Sequence, residues 1–343
     1  MTGKTEAHLL SRYRSELMGL AMLWVMLFHC FHIRIDQPVL KAFKEIGFCG
    51  VDIFIVMSGL GQYVSLGKGG TLGQYYFRRF LRILPAYWLV VGVYGLTLRL
   101  MQRTSLTMVA LNLSTLQYWL GIEGGFNWYV PALLVFYLLS PLYVRLLRRC
   151  RSGILLTLCS FPVSFVLSDL SLRHSVGHLS DFLYRLPAFA IGCLLGRFLT
   201  EGRADEDRAL LWGGLGACGL IMAYIRVKGL YYISYCHVVT AMMVPLCVLL
   251  CLFLRRLPAA ARRFLRMMGT YSLEIYLINV IVTVEVAGLS PWLSFGLGYG
   301  AYYLVGFVIT IPLALVMHRV LERVIKGAED WVETRKSWRR TAT

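Results

Sequence analysis

Ten apolar runs, most of them long enough to cross a lipid bilayer, constrain the fold of this chain more than any other feature. A membrane-spanning helix needs about 20 mostly apolar residues. The runs cover approximately residues 17–33, 46–66, 83–101, 127–147, 153–171, 182–200, 210–227, 237–254, 269–287 and 298–318. We therefore predict an all-α polytopic membrane protein, a bundle of about ten transmembrane helices.

The composition agrees with this interpretation. Of the 343 residues, 58% are apolar or aromatic and 15% are charged. Soluble globular domains average about 45–50% apolar and about 25% charged residues. These values exclude an ordinary cytosolic enzyme, a disordered chain and a fibrous protein.

The basic residues, which give the chain a net charge of +17, indicate how it is oriented. If the mildly apolar segment 105–121 does not cross the membrane, the arginine clusters at 145–151 and 255–266 lie in the cytoplasm, as the positive-inside rule requires. If it crosses, both clusters fall outside. We therefore predict ten helices, both termini in the cytoplasm, and an external or re-entrant segment over 102–126. The same bias explains the charge without a nucleic-acid partner.

The predicted organisation is one integral membrane domain over residues 1–325 and a basic cytoplasmic tail over 326–343. Tryptophan and basic residues in this tail are typical of a segment that lies on anionic membrane lipids. Pairs of histidines occur without a third ligand, so we predict no metal site.

Two ionisable residues lie near the outer ends of the first two helices. Ionisable groups inside a membrane are costly and usually functional. His29 is close to the end of the first run, and Asp52 is close to the start of the second. Antiparallel neighbouring helices place them at similar depths, where Asp52 could orient or charge the imidazole and make His29 a general base. Two separately hydrated groups at the interface remain the alternative.

A basic cluster precedes the third helix and contains Arg78, Arg79 and Arg82. Arg79 and Arg82 are three residues apart and share a helical face. Two guanidinium groups on one face suit a polyanion such as a nucleotide phosphate. A simple positive-inside anchor is the alternative.

A polar stripe runs along the ninth helix. Its members, Ser272, Tyr276, Asn279 and Thr283, follow one another at steps of four, three and four residues. Such a stripe faces the bundle interior or a wet cavity, although it can also serve only to join helices. Glu285, near the outer end, could reach an external cavity.

Five segments resemble the membrane acyltransferase 3 family and occur in the family's order. They are Glu16–His29, Gly50–Gly59, Arg78–Tyr87, Asn127–Tyr129 and Tyr271–Ile278. The resemblance implies a ten-helix enzyme that moves an acyl group, commonly acetyl, from cytoplasmic acyl-CoA to a hydroxyl of a cell-surface glycan or related acceptor. It implies that His29 is the catalytic histidine and that Arg79 and Arg82 bind the donor.

Two positions depart from the family's pattern. Family members usually carry an arginine about eleven residues before the helix-one histidine, where this chain has Met18 and Gly19. Arg14 lies about one turn earlier and could substitute. The family also often has a histidine where this chain has Asn279. The acceptor class, or activity itself, depends on these changes.

Together these observations predict an acyl-CoA-dependent O-acyltransferase of a bacterial inner membrane, with acetyl-CoA or another acyl-CoA as donor and a glycan or lipid-linked sugar as acceptor. Direct attack and an acyl-histidine route both remain open, as does an oligomeric state. The predicted catalytic residues are His29 and Asp52. The predicted donor-binding residues are Arg78, Arg79, Arg82 and Tyr87. The predicted substrate pocket consists of Ser58, Trp128, Tyr276, Asn279 and Glu285. The alternatives are a proton-coupled transporter or flippase for an anionic lipid or sugar, and a binding protein that has lost catalysis.

Overall fold

The computed structural model of the protein describes residues 6–30, 35–123, 127–201, 208–230, 234–288 and 299–341. Within these ranges all regular structure is helical. The helices are α1 Glu6–Arg12, α2 Arg14–Phe28, α3 Pro38–Glu45, α4 Cys49–Gly67, α5 Leu72–Leu100, α6 Leu106–Leu113, α7 Leu116–Trp119, α8 Tyr129–Arg149, α9 Gly153–Arg173, α10 Ser180–Leu183, α11 Leu186–Glu201, α12 Arg208–Val227, α13 Ser234–Ala241, α14 Met243–Arg256, α15 Ala259–Thr270, α16 Ser272–Gly288 and α17 Tyr299–Thr341.

Several of these helices are long and apolar enough to span a membrane. Five such spans lie within the described ranges: Leu72–Leu100, Tyr129–Arg149, Gly153–Arg173, Gly177–Glu201 and Ala209–Val227. The pair α13 and α14, bent by 50°, makes a sixth if it crosses as one unit. The chain is therefore a polytopic helical membrane protein. The number of ten spans and the cytoplasmic termini stay predictions.

The segment between α5 and α8 forms two short helices instead of one long one. The helices α6 and α7 are separated by Thr115, which has a left-handed φ of 64°. At about 1.5 Å per residue, neither helix approaches the roughly 30 Å of a hydrocarbon core. This geometry agrees with the prediction that residues 102–126 do not cross the membrane.

Polar side chains at loop ends explain where several helices begin. Ser105 Oγ accepts a hydrogen bond from Met108 N at 3.2 Å, and Ser152 Oγ accepts one from Leu155 N at 3.2 Å. Asn127 Oδ1 accepts one from Val130 N at 3.0 Å and so fixes the start of α8. Each satisfies a backbone N–H that would otherwise lack an intrahelical partner.

Glycines allow two helix pairs at the centre of the bundle to approach closely. A Cβ added at Gly192 of α11 would collide with the carbonyl of Val56 in α4. A Cβ added at Gly19 of α2 would collide with the carbonyl of Leu265 in α15. Small residues are the usual means of close helix contact in membranes. These contacts fix how α2 and α4, which carry much of the site, sit against their neighbours.

The last helix crosses the predicted boundary between membrane domain and tail. Helix α17 is continuous over 43 residues, so residues 325 and 326 belong to the same helix. The side chains of the final residues, including Trp331 and Trp338, lie outside the described part of the chain.

Candidate functional site

A first cavity brings together three arginines from two helices. It is lined by Arg14 and Met18 of α2, by residues of α4, α5 and α8, and by the start of α16. The lining polar and charged groups are Arg14, Ser58, Gln62, Arg79, Arg82, Tyr129, Tyr137, Ser272 and Tyr276. We call this space the arginine cavity. Its volume is about 70 Å³.

Two of the three arginines of this cavity donate hydrogen bonds to backbone carbonyls. Arg14 Nη2 donates to Met57 O at 3.3 Å, and Arg79 Nη2 donates to Gly61 O at 3.4 Å. Arg82 and Arg79 both act electrostatically on Arg14. None of the described residues that line the cavity is acidic. Three guanidinium groups without a carboxylate make this an anion-binding environment.

Two residues predicted to bind the donor lie elsewhere. Arg78 is exposed and does not line the arginine cavity, because it points away from the face shared by Arg79 and Arg82. Tyr87 is buried, and its hydroxyl donates to Asn112 O in α6 at 2.7 Å. Tyr87 therefore joins α5 to the segment between α5 and α8, and the binding of the donor by these two residues stays a prediction.

A second cavity, of about 430 Å³, surrounds His29. We call it the His29 cavity. Under the predicted orientation it lies toward the outer side, whereas the arginine cavity lies toward the cytoplasm. Its walls are Val25, Phe28, His29, Glu45, Ile46, Phe48, Val51, Trp128, Asp181, Tyr184, Arg185, Tyr235 and Tyr276.

His29 follows the last residue of α2, and its partners come from α16. Its backbone N–H donates to Val25 O at 3.0 Å, which closes the helix. The Asn279 side chain lies beside the imidazole, and the Tyr276 ring lies 6.2 Å from it between centroids. The polar stripe predicted on the ninth helix thus faces the histidine through Tyr276 and Asn279.

Asp52 faces an arginine that sequence reasoning did not identify. Its Oδ1 lies 3.1 Å from Arg185 Nε, and both side chains are almost fully buried. Arg185 also donates from Nη1 to Asp181 O at 2.7 Å. The ion partner that the structure shows for Asp52 is Arg185. The predicted pairing of Asp52 with the imidazole is therefore replaced by an ion pair with Arg185, because a buried carboxylate requires a compensating charge.

Arg185 is enclosed by aromatic rings as well as by carboxylates. Its Cζ lies 4.3 Å from the Trp128 ring centroid and 4.2 Å from that of Tyr184. One signal for it was present in the sequence: an arginine directly before a strongly apolar helix, with Pro187 in its first turn, needs a buried acidic partner. Asp52 is that buried partner, and the half-exposed carboxylate of Asp181 lies 3.6 Å from Arg185 Nη1.

The two cavities meet at a common wall. Val51 and Tyr276 line both of them. Tyr276 packs against Tyr129 with ring centroids 5.2 Å apart, and Tyr129 lines the arginine cavity. The arginine cavity and the His29 cavity are therefore separated by little more than one layer of aromatic side chains.

Two further residues of the predicted substrate pocket line one cavity each. Ser58 lines the arginine cavity, and Trp128 lines the His29 cavity. The side chain of Glu285 lies outside the described part of the chain. Glu274, next to the polar stripe, contacts His318 of α17 at 2.7 Å and joins the two helices.

Comparison with known proteins supplies the family. A family model described as an acyltransferase domain, that of the acyltransferase 3 family, matches residues 17–319. The chain belongs to the acyltransferase 3 family. No curated protein and no solved structure matches it significantly.

The arginine cavity of this acyltransferase contains Arg14, although the chain departs from the family's pattern at Met18. Met18 lines the cavity but contributes no charge. Arg14, about one turn earlier, extends its side chain into the same cavity. Gly61 of α4 makes room for it, since a Cβ there would lie 3.1 Å from Arg14 Nη2.

The residues that the structure describes contain no cluster of three or more His, Cys, Asp or Glu side chains that could hold a metal ion in this acyltransferase.

Proposed function

We propose that this acyltransferase moves an acyl group, acetyl in the simplest case, from acyl-CoA at the cytoplasmic side to a hydroxyl of a glycan or lipid-linked sugar at the outer side of a bacterial inner membrane. One observation carries the proposal. The arginine cavity and the His29 cavity share the wall formed by Val51 and Tyr276.

The donor binds through its phosphates. Arg14, Arg79 and Arg82 provide the positive charge, and guanidinium groups bind phosphate oxygens in bidentate fashion. The arginine cavity, at about 70 Å³, is well below the roughly 300–1,000 Å³ of small-molecule sites. The nucleotide therefore enters only when this cavity widens, and the thioester arm then extends toward Tyr276.

The chemical step takes place at His29. A ring nitrogen accepts the proton of the acceptor hydroxyl, and the hydroxyl oxygen attacks the thioester carbonyl carbon. The tetrahedral intermediate then collapses and its carbon–sulfur bond breaks. The thiolate of CoA leaves, while the imidazole keeps the proton. Asn279 holds the ring during this exchange. Asp52 acts at a distance, by fixing Arg185 in the wall of the His29 cavity.

The test is release of free thiol from acetyl-CoA by the purified protein, with and without a sugar acceptor. We expect the wild type to release thiol, and His29→Ala and the double variant Arg79→Ala/Arg82→Ala to release at least about a hundredfold less, since general base catalysis alone contributes about 10²–10⁴-fold. Arg145→Ala is the matched control, because Arg145 is an exposed arginine of α8 outside both cavities.

Calorimetry separates this function from the transporter alternative. The proposal requires that the wild type binds CoA and that Arg79→Ala/Arg82→Ala binds it much more weakly. A wild type that binds neither CoA nor acetyl-CoA contradicts the donor site, and a proton-coupled transporter of anionic lipids or sugars then becomes the better explanation of the same arginines.

A further inference from the structure

The walls of the His29 cavity combine aromatic rings with carboxylates. Six aromatic residues line it: Phe28, Phe48, Trp128, Tyr184, Tyr235 and Tyr276. Two acidic residues, Glu45 and Asp181, line it as well. Its volume of about 430 Å³ is within the range of about 300–1,000 Å³ found for small-molecule sites. The space beside the catalytic histidine is therefore large enough for a sugar ring.

Aromatic faces and carboxylates recognise complementary parts of a sugar. The face of an aromatic ring is electronegative, and the axial C–H groups of a pyranose carry partial positive charge. Carboxylate oxygens accept hydrogen bonds from hydroxyl and ammonium groups. The lining thus offers both kinds of contact.

Among the described residues that line this cavity, Arg185 is the one arginine, and it already has an ion partner. Arg185 Nε pairs with Asp52, and its Nη1 donates to the backbone of Asp181. Its two nearest rings, Trp128 and Tyr184, lie within 4.3 Å of Cζ. A sugar carboxylate or phosphate would have to displace these groups to reach the guanidinium.

Apart from Arg185 and His29, the ionisable carboxylate and amine side chains that line the cavity within the described part of the chain are acidic. Glu45 and Asp181 line it, and Asp52 lies directly behind Arg185. Two cations are close but do not line the cavity: Lys41 lies 4.0 Å from Glu45 on the exposed surface of α3, and Arg226 Cζ lies 5.8 Å from the Tyr235 ring centroid. Among the described residues, three carboxylates stand against one guanidinium that already has an ion partner, and this balance disfavours an anionic ligand.

We propose that the His29 cavity binds the acceptor as a neutral sugar or an amino sugar and discriminates against uronic acids and phosphorylated sugars. This inference rests on the proposed function, since it assigns the acceptor class of the same site. Glu45 is the residue that sets the discrimination at the mouth of the cavity, where its side chain is 62% exposed.

The experiment measures sugar binding without any donor, so that its result does not depend on acyl transfer. The full chain in lipid nanodiscs, free of glycoside detergent, is titrated with methyl glucoside, methyl glucosaminide and methyl glucuronide by saturation-transfer NMR. We expect the first two to bind at least tenfold more tightly than the glucuronide. Glu45→Gln should reduce this ratio to threefold or less, and Tyr235→Ala should weaken all three sugars.

Lys41→Gln is the matched control for charge. It removes the cation beside Glu45, so the preference against the glucuronide should stay the same or increase. Equal binding of glucoside and glucuronide to the wild type overturns the proposal, as does an unchanged ratio in Glu45→Gln or a failure of every sugar to bind. Binding with the expected preference, but without thiol release from acetyl-CoA, supports this inference and contradicts the proposed acyl transfer.

Discussion

Neighbouring arginines at the start of α5 should differ in function, because only some of them face the arginine cavity. Arg79 lines it and Arg78 does not. A hydrogen bond to a charged group contributes about 1.5–3 kcal/mol, so Arg79→Ala should raise the KM for acetyl-CoA by about tenfold or more. Arg78→Ala should change it by less than about twofold, within the small effect of a surface charge. Steady-state kinetics of both variants checks this, and equal effects would contradict the assigned faces.

Stability measurements can show whether Asp52 acts as the ion partner of Arg185 or as a carboxylate that orients His29. Breaking a buried ion pair costs about 3–5 kcal/mol, because the remaining charge stays buried without its partner. Asp52→Asn should therefore lower the thermal stability of the protein in detergent. The double variant Asp52→Asn/Arg185→Met should recover part of that loss, since it leaves no unpaired charge.

Thermal unfolding of the two variants measures this effect. Had Asp52 acted on His29, Asp52→Asn would lose activity at unchanged stability, and Arg185→Met would restore nothing. That outcome would support the prediction from the sequence that Asp52 orients or charges the imidazole of His29.

Asn279 should influence the rate more than the affinity. It lies beside the His29 ring and does not line the arginine cavity. An ordinary hydrogen bond contributes about 0.5–1.5 kcal/mol, so Asn279→Ala should lower kcat by about three- to tenfold with the KM for acetyl-CoA unchanged. Thr283→Val is a suitable control, because Thr283 donates only to backbone carbonyls of its own helix.

At the scale of elements, the contact of α4 with α11 decides where the Asp52–Arg185 pair forms. Gly192 lets the two backbones touch, and any Cβ there would collide with Val56. Overpacking costs about 1–3 kcal/mol, so Gly192→Ala should lower thermal stability measurably. Gly213→Ala in α12 should leave it unchanged, because a Cβ at that position meets nothing within 4 Å. Equal effects would show that the close contact is not important.

At the scale of the whole molecule, the predicted orientation of all later helices depends on whether the segment that contains α6 and α7 crosses the membrane. Neither is long enough to span, so the predicted topology places residue 121 outside and residue 152 inside. Fusions of a periplasmically active phosphatase after Gly121 should be active, and fusions after Ser152 inactive. Fusions of a fluorescent protein that matures only in the cytoplasm should give the opposite pattern. Reversed results would mean that the 102–126 segment crosses.

Local patterns in the sequence were sufficient for the helical membrane architecture and for part of the site. Hydropathy predicted that the chain is an all-helical membrane protein, and the ordered motifs predicted the family that the match over residues 17–319 confirms. Helical periodicity placed Arg79 and Arg82 on one face, and that face lines a cavity. Tyr276 and Asn279 likewise share the face that reaches His29.

Only the tertiary structure decided which distant residues meet. Asp52 pairs with Arg185, more than a hundred residues later, and Arg14 joins Arg79 and Arg82 although the sequence gives no periodic relation between them. Hydropathy and periodicity report the faces of single helices, which depend on neighbouring residues. The rotation and depth of one helix against another depend on close contacts such as those of Gly19 and Gly192, whose partners are far along the chain. For that reason the sequence determined the kind of protein and its motifs, and packing determined the partners within its site.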